Sequence, residues 1–149
     1  MNRRQKAILI RSVFVIIATA AAVIAMINFK DLVNRSESMR AMEHLGKIVL
    51  QYRKENGSIP PISFVDNIKE NLEGSARLGV LQYRGQWIDF ECSGNEILAY
   101  TYRNYHSLVL SEGYVLLRLN GHVEWMNKKE FESILDKQQS PLEIQMQRR

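Results

Sequence analysis

Residues 7–29 read AILIRSVFVIIATAAAVIAMINF, apolar except for Arg11, Ser12, Thr19 and Asn28. As a helix rising about 1.5 Å per residue, this stretch spans roughly 30 Å or slightly more, the thickness of a bilayer's hydrocarbon core. Residues 12–27 alone fall a little short. Arg11 is therefore expected at one interface, its stem buried and its guanidinium turned back toward headgroups. Because the stretch is apolar on all sides, it does not read as the amphipathic core helix of a soluble domain. The rival reading is a cleaved signal peptide, with the small residues 18–22 as the cleavage site. The apolar run continues past them through Val23, Ile24 and Ile27, which favours a retained anchor built on Ile8, Arg11, Phe14, Ile17, Val23 and Ile27.

Charge gives that anchor a direction. Of 20 basic residues, Arg3, Arg4, Lys6 and Arg11 precede residue 12 without an acid among them. After the span, Lys30, Asp31, Arg35 and Glu37 nearly cancel. Basic flanks stay in the cytoplasm, so the N-terminus is expected inside and the following 120 or so residues exported. The remaining basic residues equal the 16 acids in number, leaving a formally neutral body and no basic face for phosphates. No nucleic-acid partner is expected. Cys92 is the only cysteine, so intrachain disulfides and Cys-rich zinc sites are excluded, and it reads as a small buried apolar residue.

Beyond the span the periodicity becomes helical over residues 35–56. Met39, Met42, Leu45, Val49 and Tyr52 recur at spacings of 3, 3, 4 and 3. Gly46 within this stripe costs about 1 kcal/mol relative to Ala, so the helix relies on packing. Asn56-Gly57 stops it, and Pro60-Pro61 prevents continuation. No strong breaker lies between residues 7 and 56, so one long helix, with a bend near residues 28–34, is expected from the membrane into the domain. A short helix is predicted over residues 65–73, started by Ser63 or Asp66.

The pattern then changes to period 2. Ile88, Phe90 and Cys92 alternate with Trp87, Asp89 and Glu91, and residues 97–103 (ILAYTYR) form a second β-rich run. Residues 114–119 and 122–126 flank Asn120-Gly121, the signal of a hairpin with a type I′ turn. That turn would set Leu119 opposite His122, Leu117 opposite Glu124, and Leu116 opposite Trp125. Asn127 caps a terminal helix over residues 128–138, with Glu130 completing a capping box and Phe131, Ile134 and Leu135 as its apolar stripe. The expected divisions are a cytoplasmic leader (1–6), a transmembrane helix (7–29), an exported domain (30–139) and a flexible tail (140–149). The fold class is α+β: a long N-terminal helix, half in the bilayer, packed on an antiparallel sheet of four or five strands and closed by a C-terminal helix.

This order resembles the layout of type IV pilins and type II secretion pseudopilins. The stretch GYVLLRLNGHVEWMNKKEFESIL (113–135) is similar to the ending of pseudopilin-like proteins abundant in planctomycetes and their relatives, where a histidine and a spacer precede a hydrophobic strand, Asp-Gly, His/Ser-Val and an aromatic. ILAYTYRNYHS resembles the upstream segment, placing His106 at the family's histidine, and LGKIVLQYRKENGSIPP resembles its helix-ending Asn-Gly-x-x-Pro. The matching hairpin residues are His106, Asn120, Gly121, His122 and Trp125. The sequence departs from the pattern in three places. Asn120 replaces the family's aspartate, the 13-residue spacer (107–119) is longer, and Lys6-Ala7-Ile8-Leu9-Ile10-Arg11 stands where prepilins carry Gly-Phe-Thr-Leu-Ile-Glu. The resemblance implies a pseudopilin-like structural protein kept as an uncleaved single-pass anchor in the bacterial inner membrane, its domain periplasmic. It also implies partners among other pseudopilin or secretion-apparatus subunits, reached through the N-terminal helix, with membrane lipid around it.

Chemical motifs are few. No Gly-x-Ser-x-Gly, HExxH, P-loop or Gly-x-Gly-x-x-Gly occurs. A metal site would need His44, His106 and His122 to converge, with Glu124 or Glu112, and their spacing gives no reason to expect it. Asp89 and Glu91 share a strand parity that suits acid–base work, but a solvated sheet face has the same pattern. Trp87, Trp125, Tyr100, Tyr102, Tyr105 and Tyr114 are expected to pack across strands rather than line a ligand surface. No enzyme activity and no cofactor are expected. The alternative to a pseudopilin-like component is a stand-alone membrane-tethered module holding an envelope protein or glycan on its sheet face. An envelope hydrolase would lack an assembled nucleophile or metal motif.

Overall fold

The computed structural model describes residues 2–89, 91–105, 107 and 111–147. Helix α1 (Arg3–Asn56) is unbroken for 54 residues, about 80 Å of helix. It ends where expected: Gly57 takes the left-handed conformation at φ 64° and its N–H bonds to Arg53 O at 2.9 Å. Helix α2 (Ile62–Ile68) follows the two prolines and tightens into a 3₁₀ turn at Lys69–Asn71. It starts earlier than predicted, with Pro61 as its N-terminal cap.

Four strands, β1 (Leu81–Tyr83), β2 (Ile97–Arg103), β3 (Gly113–Arg118) and β4 (Val123–Asn127), form an antiparallel sheet in the order β1-β2-β3-β4. Helices α3 (Lys128–Gln138) and α4 (Pro141–Gln147) follow the sheet. The class is α+β, with a long N-terminal helix on a four-stranded sheet.

The sheet lies between helices. On one face, Ala41, Met42, Leu45 and Val49 of α1 pack with Ala99, Val115 and Leu117. On the other, Phe131 and Leu135 of α3 pack with Ile97, Tyr100, Leu116 and Met126. A bulge at Leu98 in β2 puts that residue beside Ala99 on the α1 face instead of the opposite one. Gly46 shows why the helix tolerates it: a Cβ there would stand 2.9 Å from Leu117 Cδ1 and 3.5 Å from Gly121 O. The missing side chain lets α1 approach β3 and its turn.

Three expectations need correction. First, the hairpin register is shifted by one. Val115 faces Trp125, Leu116 faces Glu124, and Leu117 faces Val123. Arg118 N–H bonds to His122 O and Gly121 N–H to Arg118 O, so the loop is the three residues 119–121 and only Gly121 (φ 87°) has positive φ. This is a type I turn followed by a glycine bulge, not a type I′ turn. Trp125 therefore lies on the α1 face. Second, the alternation around Ile88 and Cys92 forms no strand. Gly85–Trp87 is a 3₁₀ turn, Asp89 and Glu91 are coil, and Phe90 lies outside the described residues. The fourth strand is β1 instead. Third, the segment read as a flexible tail contains α4, whose Glu143 is fully buried.

Candidate functional site

The apolar side chains of the first half of α1 are exposed. Ile8, Phe14, Ile17, Val23 and Ile27 are 64%, 71%, 62%, 50% and 40% exposed, and the most apolar window of the helix is wholly unburied. Burial begins at Asp31 and becomes regular from Ser38 onward. Among the described residues, one helix is thus long and apolar enough to cross a membrane. Removing so many large aliphatic side chains from water is worth roughly 1.5–3 kcal/mol each, a cost that water does not offset. Arg11 is exposed among them.

The hairpin residues are joined to the second half of the same helix. Asn120 Oδ1 accepts the His122 backbone N–H at 2.9 Å, an Asx-type closure of the loop. Gly121 sits against Gly46, and a Cβ on it would collide with Leu50 Cδ1. Arg53 Nη1 donates to Leu119 O at 2.9 Å. Near the other end of β4, the Arg35 guanidinium lies 4.8 Å from the centre of the Trp125 ring. Gly113 makes room for that indole, since a Cβ there would stand 2.7 Å from the Trp125 ring. The hairpin is thereby clamped along α1 at both ends. His106 lies outside the described residues. His122 is exposed, and His44 Nδ1 accepts the Glu73 backbone N–H at 3.1 Å. No metal-ligating cluster occurs among the described residues.

Tyr100, Tyr102, Tyr114 and Phe131 form a packed column on the α3 face. Tyr114 stacks on Phe131 at 3.9 Å, and Tyr100 and Tyr102 lie against Tyr114 at 5.9 and 5.3 Å. Beyond the reach of α3, Val80, Gln82, Tyr100, Tyr102 and Tyr114 line a shallow groove. Tyr102 and Glu112 share a hydrogen bond, with Lys128 3.7 Å from the carboxylate. The bond holds the Glu112 carboxyl below its usual range and raises the Tyr102 phenol, and the Lys128 charge adds to the first effect.

Sequence reasoning missed a buried ion pair. Arg84, between β1 and the 3₁₀ turn, directs Nε and Nη2 at Glu143 of α4 at 2.6 and 3.0 Å. Its remaining donors reach Ile97 O at 2.8 Å and Gln138 O at 3.1 Å. Glu143 also accepts from Gln139 Nε2 at 3.2 Å. The pair ties α4 to the sheet by satisfying a guanidinium that would otherwise be buried alone. A glutamate six residues from the terminus carries no local signal of this role.

Comparison with protein-family models, curated proteins and solved structures gives no match.

Proposed function

We propose that this protein is a membrane-anchored, pseudopilin-like structural component related to type II secretion or type IV pilus assemblies, retained in the inner membrane without cleavage. The observation carrying this reading is the division of one continuous helix. Its first half is exposed and apolar, and its second half is the spine of a domain built on an antiparallel sheet. A helix of this design holds a folded domain at a membrane surface and leaves its lipid-embedded half open to lateral contacts with like helices. The basic residues before Ser12 put the leader in the cytoplasm and the domain in the periplasm. Lys6 and Ala7 replace the residues a prepilin peptidase would require, which supports an intact N-terminus.

The test has two parts. Mass spectrometry of the protein recovered from native membranes should find the chain uncut near Ala7 and near Ala22. Photo-cross-linkers at Phe14 and Ile17 should capture other pilin-like helices. A mature chain beginning near residue 23, or cross-links only to one partner without such a helix, would overturn the reading. The latter result would favour a membrane-tethered binding module, a reading that the tyrosine-lined groove supports.

A further inference from the structure

The sheet pairing fixes which end of the domain meets the anchor. Arg103, Gly113 and Asn127 lie side by side at one end of the sheet. That end packs on the first turns of α1 beyond the apolar run: Arg103 Nε donates to Ser38 Oγ at 3.1 Å, and Arg35 covers Trp125. Tyr105 follows Arg103 by two residues at this same end and is buried. The opposite end, at Leu119 and Gly121, is fastened to Gly46 and Arg53, further along the helix.

Height follows from helix geometry. Arg35 stands about 9 Å above Phe29 at 1.5 Å per residue. A headgroup layer adds roughly 5–8 Å on each side of the hydrocarbon core. Side chains packed beside Asp31 and Arg35 therefore stand at headgroup level or just above it. Tyr105 and Trp125 occupy the depth where amphipathic aromatics concentrate in membrane proteins.

The charge at this end is also unbalanced, although the body as a whole is neutral. The segments that form this end carry the cations Lys30, Arg35, Arg77, Arg103, Lys128 and Lys129 and the carboxylates Asp31, Glu37, Glu112, Glu130 and Glu132, an excess of one positive charge. Glu37 is 3.9 Å from Arg77, and Glu112 is engaged with Tyr102 and lies 3.7 Å from Lys128. Lys30 and Lys129 point into solvent. Arg103 Nη2, Tyr105 OH and Trp125 Nε1 are buried polar atoms with no hydrogen-bond partner among the described residues. Cations thus slightly outnumber carboxylates at the boundary of the apolar anchor, with Lys30 and Lys129 exposed there.

We propose that the anchor-proximal end of the domain rests on the anionic phospholipid headgroups of the bilayer that holds α1, through Lys30, Arg35, Lys128 and Lys129 around Tyr105 and Trp125. This contact rests on the anchor reading above. It fixes the tilt of the domain, because a continuous helix pinned both in lipid and at the headgroups cannot swing freely.

The test uses the full chain with Cys92→Ser and one introduced cysteine carrying an environment-sensitive fluorophore, at exposed Asn104 or at exposed Ser58. The protein is reconstituted into vesicles of phosphatidylcholine with or without phosphatidylglycerol, containing a headgroup-level spin-label quencher. The label at Asn104 should be quenched at least about twofold more than that at Ser58 in anionic vesicles, and the difference should shrink toward 1 M salt, where the Debye length falls to about 3 Å. Lys128→Glu with Lys129→Glu should reduce it likewise. Equal quenching at the two sites in anionic vesicles overturns the proposal, as does identical quenching with and without phosphatidylglycerol. So does self-quenching between copies at Asn104 in place of lipid quenching, which would make a second copy the occupant. Failure of the chain to float with vesicles instead overturns the anchor reading itself.

Discussion

Truncating Glu143 to alanine removes both charge-assisted bonds to Arg84, whose side chain is 1% exposed. The guanidinium keeps only Ile97 O, Gln138 O and the Glu96 carboxylate at 4.0 Å. Breaking a buried pair from one side costs about 3–5 kcal/mol, because the remaining charge is left in a poor solvent. Two responses reduce that figure here. Glu96 is partly exposed and close enough to turn toward Arg84, and α4 has only seven residues and can lift away to admit water. The expected loss is therefore about 3 kcal/mol, or roughly 12 °C in Tm at about 4 °C per kcal/mol for a domain of this size. Denaturation of the full chain in detergent, followed by circular dichroism, measures the loss. Trp87 fluorescence reports docking separately, since its ring borders Leu142 and Met146 of α4. The double replacement Arg84→Met with Glu143→Leu should recover most of the stability, because an apolar pair needs no mutual neutralisation. A Glu143→Ala protein within about 0.5 kcal/mol of the parent, with Trp87 emission unchanged, would refute the reasoning.

The remaining expectations concern the turn and a buried phenol. Gly121→Ala should cost about 1–2 kcal/mol in chemical denaturation, since it forces a left-handed φ on alanine and presses on Leu50, whereas Asn120→Asp should stay within about 0.5 kcal/mol because Oδ1 still accepts the His122 N–H. A type I′ loop would also make Asn120→Ala strained at φ; the structure predicts for that variant only the loss of the Asx bond. Burial, with the neighbouring Tyr52 adding to it, raises the Tyr83 phenol above its ordinary 10, and its hydroxyl donates to Pro60 O at 2.8 Å. Stability should thus hold below pH 10 and fall as pH rises beyond it, because the unfolded chain loses that proton first. Tyr83→Phe should flatten this alkaline decline in a pH series of denaturant melts.

How much of this was legible in the sequence depended on the range of the interaction. The apolar run and the stripe of Met42, Leu45 and Val49 are local patterns of composition and period, and both lie in α1 as a continuous helix. The Asn56-Gly57 stop and the Asn127 cap are equally local; Asn127 Oδ1 accepts Glu130 N–H at 3.0 Å, although the Glu130 carboxylate accepts from Asn127 Nδ2 rather than from the backbone N–H that would complete the box. The hairpin's position was visible but its register was not. Asn-Gly serves both two- and three-residue loops, and Leu119 decides between them by giving its N–H to Glu96 O instead of to β4. β1 has three residues and depends on β2 for its definition, so no period could announce it. The alternation around Ile88 was real as burial, with Ile88 7% exposed, but its backbone does not join the sheet. Arg84 and Glu143 are 59 residues apart, and only the assembled fold brings them together.

The central claim is that α1 holds the polypeptide in a bilayer while its second half carries the folded domain. Alkaline carbonate extraction of cells producing the full chain, followed by protease treatment of spheroplasts, tests it most directly. The chain should remain in the membrane pellet, and protease should remove the domain while sparing the basic leader. Recovery of the intact chain in the carbonate supernatant, or a domain protected until the inner membrane is lysed, would contradict the account.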